Sequence, residues 1–156
     1  MHLNLNIIYI MAKTITKLPK RTNANNGKKA HNDNIYYKIG RIRMNSWASK
    51  CLAVCDIVIY ETELVHIHHR HHKELQAVGM DAFDFVKFIV SNYNQIYKGR
   101  ANTYKLVVHR TNTSDMAAIE LHKINFNGVE MYKINTATPV KTKQLCKEEL
   151  LCANDH

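Results

Sequence analysis

Asn127-Gly128 stands between two runs of alternating character, "MAAIELHKI" (116–124) and "VEMYKINTAT" (129–138). An Asn-Gly pair accepts the left-handed backbone of a two-residue hairpin, whose twist matches that of the strands it joins. This part of the chain is therefore committed to antiparallel pairing, and whatever precedes it has to pack on the resulting sheet. A third run, "TYKLVVHR" (103–110), is expected to join through a turn at 112–115. Pro139 should end the last strand, because it has no N–H to give to a ladder.

Upstream the period changes. "IYYKIGRIRM" has the look of a short strand, "SWASKCLAV" of a helical turn, and the β-branched "DIVIY" (56–60) of a second strand. A helix is predicted over 63–78, with Thr62 as N-cap and Gly79 as its stop. At 100° per residue, Leu64, Ile67, Leu75 and Val78 form an apolar stripe with His71 in its middle. Arg70 and Glu74 border the stripe on one side, four apart and able to pair. His68 and His72 border it on the other, while His66 and His69 point to solvent. A second helix is predicted from Asp81 to about Tyr97, since Phe83, Val86, Ile89, Val90, Tyr93, Ile96 and Tyr97 keep a 3.6-residue period. Two helices followed by a meander give an α+β class, with the helices packed on one antiparallel sheet.

The net charge of +9 is unevenly spread. Residues 1–60 hold ten basic residues against Asp33 and Asp56, whereas residues 61–156 are almost balanced. Residues 1–34 are polar, lack apolar periodicity and are expected to be a disordered basic arm, the kind of charge that suits a polyanionic partner or simply keeps a tail in solution. Residues 35–140 are expected to form the folded domain, and 141–156 a tail with a weak helix. No apolar run is long enough for a membrane helix. The apolar opening "LNLNIIYI" has no small-residue cleavage site, and "MAKTITKLPK" from Met11 has the look of a natural start. Cys51 and Cys55, and Cys146 and Cys152, have spacings unlike common zinc knuckles, so reduced thiols in a cytoplasm are expected.

Five of the ten histidines fall between His66 and His72. His68 and His72 have the i,i+4 spacing of metal ligands, but no third ligand is evident and the residue after His68 is not glutamate, as a zincin would need. His71 beside Arg70 offers different chemistry. Imidazole titrates near neutrality and serves as general acid or base, and a guanidinium clamps phosphate at two points. The plainer alternative is a core His71 next to a surface Arg70–Glu74 pair.

Six segments in order, "KIGRI", "DIVIYETELVHIHHRHHKEL", "MDAFDFVKFIVSNYNQI", "YKLVV", "MAAIEL" and "MYKINTATP", resemble the phage-associated nuclease-like domains of the barnase–EndoU–colicin–RelE class. His66, Ile67, Arg70, His71, Glu74 and Leu75 match its helix motif "HI..RH..EL"; Lys133, Thr136, Ala137, Thr138 and Pro139 match its last strand more loosely. The resemblance covers roughly residues 36–140. It implies a metal-independent ribonuclease that needs no cofactor, phage- or toxin-linked, with RNA as partner and an inhibitory immunity or antitoxin protein as a second one. His71 would be base or acid, Arg70 the phosphate clamp, and His66 a second titrating group. Lys133, Thr136 and Thr138 would donate to phosphate, with Glu74 and Tyr132 at the substrate. The alternative within the same fold is a non-catalytic RNA-binding or protein-interaction domain.

Overall fold

A computed structural model describes residues 22–23, 35–109, 115–141 and 148–154. Its elements run β1 (Thr22–Asn23), β2 (Ile35–Arg41), a 3-10 turn (Trp47–Lys50), β3 (Asp56–Tyr60), α1 (Glu61–Val78), α2 (Ala82–Asn92), β4 (Gln95–Lys98), β5 (Thr103–His109), β6 (Asp115–Phe126), β7 (Val129–Lys141) and β8 (Glu149–Ala153). The fold is α+β, as expected. Asn127 and Gly128 both take positive φ, 54° and 84°, and close the β6–β7 hairpin.

The sheet is mixed, not purely antiparallel. Its strand order is β1-β2-β3-β7-β6-β5-β4-β8, and β3 lies parallel to β7 with Ile57 opposite Tyr132. Hairpin signals identify strands that are close in sequence. β3 and β7 are joined by no turn, so their pairing is set by how α1 and α2 pack.

Three boundaries also differ. Thr62 is not the N-cap of α1, which begins directly after Tyr60 with no side-chain cap. α2 stops at Asn92, and Ile96 and Tyr97 belong to β4. Asn94 forces that exit. Its side chain donates to His109 O (2.8 Å) and accepts from His109 N–H (2.9 Å), while its own N–H reaches Val107 O. Pro139 lies inside β7, opposite Ala117. β3 pairs with β7 only at Met131, Tyr132 and Lys133, so Pro139 stands where β7 is an edge on that side, and an edge tolerates a missing N–H.

Past residue 140 the sheet continues. In place of the weak helix expected in 141–156, Glu149–Ala153 is a strand paired antiparallel to β4. Of the N-terminal arm only Thr22 and Asn23 are described, and they pair with β2. The rest of the arm, residues 112–114 of the turn expected at 112–115, and residues 142–147 lie outside the described residues, while Asp115 already belongs to β6.

Both helices and the 3-10 turn cover one face of the sheet. Phe83, Phe85, Val86, Phe88 and Ile89 of α2 are buried against Ile39, Ile57, Leu106, Ile119 and Ile134. Full burial of such side chains stabilises by roughly 1.5–3 kcal/mol each. Gly40 lets α2 approach β2, since a Cβ there would sit 2.7 Å from Val90 Cγ1. Among the described residues, no helix is long and apolar enough to cross a membrane.

Candidate functional site

Where pairing with β3 ends at Lys133, β7 runs on beside α1. At this point β7 also loses its regular register with β6. Leu121 faces Ile134 and Glu120 faces Thr136, which leaves Asn135 as an extra residue. Such a bulge interrupts a ladder and re-aims the side chains next to it. The alternation changes phase accordingly: Tyr132 and Ile134 join the core, and the next core residue is Ala137.

Between the bulge and α1 lies a cleft of about 350 Å³, lined by Glu63, His66, Ile67, His69, Arg70, Asn135 and Thr136. Three sequence-predicted residues, His66, Arg70 and Thr136, therefore meet in one place. Their positions follow from helix geometry: residues 63, 66, 67 and 70 lie on one face at i,i+3 and i,i+4 spacing. Ile67 anchors that face in the core at 2% exposure, and its polar neighbours are carried to the rim.

Glu63 was not foreseen. Its Oε1 lies 3.7 Å from His66 Nδ1, too long for a hydrogen bond but close enough to bias the orientation of the ring. His66 is the more open of the two, with 71% of its side chain exposed against 22% for Glu63. His69, assigned to solvent from the sequence, is exposed and also lines the cleft.

His71 is placed elsewhere. It is not among the cleft walls; 17% of its side chain is exposed, and Nδ1 lies 3.5 Å from Glu74 Oε1. No hydrogen bond joins them, and Nδ1 is buried without a hydrogen-bond partner. The backbone leaves helical geometry at this residue (φ −124°, ψ 21°), which kinks α1. Glu74 faces His71 here, where the sequence had matched it with Arg70.

The remaining candidates scatter. Lys133 places its ammonium 5.2 Å from the Tyr60 ring centroid. Thr138 is half-buried further along β7 and does not line the cleft. Tyr132 is 2% exposed, and its hydroxyl accepts from Ala53 N–H at 2.9 Å. Burial raises its phenol pKa, the Ala53 contact working against that shift. A phenol committed to the core in this way has no face left for a substrate base.

His68 and His72 are ring neighbours at 6.1 Å. Among the described residues no three His, Cys, Asp or Glu side chains cluster closely enough to hold a metal. Cys51, Cys55 and Cys152 are free thiols, and Cys146 lies outside the described residues. Burial, followed by contact with Cys152, pushes the Cys51 thiol up to about 12.

No protein-family model matches the chain, and neither does any curated protein or solved structure.

Proposed function

We propose that the cleft between α1 and the β7 bulge is the active site of a metal-independent ribonuclease. The observation that carries the reading is the convergence of His66, Arg70 and Thr136, from two elements far apart in sequence, on one open cleft. It is also what the resemblance to the barnase–EndoU–colicin–RelE class would require of its helix and last-strand motifs.

The chemistry needs a base, an acid and a phosphate clamp. His66, oriented by Glu63, takes the proton from a ribose 2′-hydroxyl. The freed oxygen attacks the adjacent phosphorus, and the bond to the 5′-oxygen breaks. That oxygen receives a proton from the second imidazole of the cleft, His69. The guanidinium of Arg70 and the hydroxyl of Thr136 hold the nonbridging oxygens as negative charge builds on them. The products are a 2′,3′-cyclic phosphate and a 5′-hydroxyl. His71 stands behind this set at the helix kink and is the competing candidate for one of the two proton transfers.

The test is cleavage of a mixed-sequence RNA by the purified chain in EDTA, with the ends of the products analysed. Cyclic phosphate ends are expected, and His66→Gln is expected to slow cleavage by about 10²–10⁴-fold. His71→Gln, assayed beside it, should lose less. The reverse ranking would return the proton transfer to His71. Cleavage that requires a divalent metal, or that proceeds equally on DNA, would refute the mechanism.

A further inference from the structure

The face of the sheet turned away from the helices carries a second feature. Tyr37, Ile57 and Ile59 point into the helix-covered core, so the alternate residues of β2 and β3 point the other way. Tyr36 and Tyr60 are directly opposed there, their ring centroids 6.1 Å apart at 48°. Both are only partly buried. Lys38 and Lys133 each face Val58 in register, so they share this face. Lys133 already caps Tyr60 as a cation over its ring. Arg41 and Lys38 lie 2.7 Å and 3.4 Å from Asp56, which leaves three cations against one carboxylate.

We infer that this face is a stacking platform for single-stranded RNA, the substrate strand of the cleft. The inference rests on the ribonuclease reading for its direction but not for its observations. Val58 between the two lysines is buried, but Tyr36 and Tyr60 keep part of their surface exposed. Partly exposed aromatic rings accept unpaired bases, while neighbouring cations follow the phosphates. The charge fits such an occupant, because Lys38, Arg41 and Lys133 outnumber Asp56 on this face. Position fits as well. Tyr60 is the residue immediately before α1, and Lys133 is two residues from Asn135, roughly 7 Å along a strand. A base stacked on Tyr60, with Lys133 moved from the ring to its phosphate, leaves the next nucleotide at the mouth of the cleft. Bases in a duplex are already paired and stacked, so a double strand cannot use these rings.

The experiment measures binding apart from cleavage. The full chain is titrated into a labelled single-stranded 2′-O-methyl oligoribonucleotide, which has no free 2′-hydroxyl to attack. Tyr36→Leu and Tyr60→Leu should each weaken binding by about 5- to 100-fold, whereas Tyr60→Phe, which keeps the ring, should bind like the unaltered protein. Tyr36 sits on β2, away from the cleft, so its variant keeps the test decisive if Tyr60→Leu fails to fold. Lys133→Met should lower affinity and reduce the salt dependence by about one phosphate contact. Unchanged binding by both leucine variants, or equal competition by duplex RNA of the same sequence, would overturn the platform. Loss of binding in these variants, in a protein that cleaves no RNA, would uphold the platform and sink only the ribonuclease reading.

Discussion

The two helices are neighbours in sequence and lie on the same face of the sheet, yet they are built on opposite principles. Of the eleven residues of α2, six are buried, and Asp81 caps its first turn by accepting from Asp84 N–H at 2.7 Å. α1 is eighteen residues long, buries only Ile67 and Leu75, has no side-chain cap and kinks at His71. The shorter helix holds the fold together. The longer one, anchored at two points, presents charged and imidazole side chains to the surface. A helix can give up caps and burial in this way when its neighbours supply the stability.

The largest expected effect that would break this contrast is on burial. Phe88→Ala in α2 should cost about 3–5 kcal/mol in chemical denaturation, through lost transfer energy and the cavity left behind. His68→Ala on the exposed face of α1 should fall within about 0.5 kcal/mol of the unaltered protein. Comparable losses would mean that α1 carries as much of the core as α2.

Next is the junction. Gly79 ends α1 at φ 71°, where its N–H reaches Gln76 O, and a side chain is strained in that conformation. Gly79→Ala should cost about 1–2 kcal/mol. A neutral result would show that the two helices are not held at a fixed angle there. Asp81→Ala should cost about 1 kcal/mol by removing the α2 cap. No substitution at the start of α1 should give a matching effect, because no side chain caps its first turn.

The last expected effect is on alkaline stability. Burial, and then Cys51, pushes the Tyr93 phenol at the end of α2 up to about 12, and the Cys51 thiol is raised to a similar value. Both are acids held protonated by the fold. Their contribution is therefore complete below the unfolded pKa values, near 9 and 10, and is lost as pH rises toward 12. The melting temperature should fall over that window, and Cys51→Ala should make the fall shallower. A flat profile would show that neither group stays protonated in the folded state.

The legible parts of the molecule were those written in local sequence. Asn127-Gly128 states its turn, Gly79 its helix end, and the apolar period of Phe83, Val86 and Ile89 its buried face. Ile96 and Tyr97 misled because two residues after a helix fit its period by chance, and the signal that contradicts them is the side chain of Asn94 reaching across to β5. At the cleft, His66, Arg70 and Thr136 were legible as motif residues. Glu63 could have been found as the i−3 partner of His66. Asn135 could not, since a bulge depends on the register of two strands. His71 sits where α1 bends, and a 100° periodicity carries no information about a bend.

The bulge at Asn135 has a further consequence, in the order of biosynthesis. α1 leaves the ribosome long before β7, so one wall of the cleft is already synthesised while the other has yet to be translated. Only when the β6–β7 hairpin closes do Asn135 and Thr136 arrive opposite His66 and Arg70. A nascent chain that stalls anywhere before that hairpin has no cleft, however much of α1 it already contains.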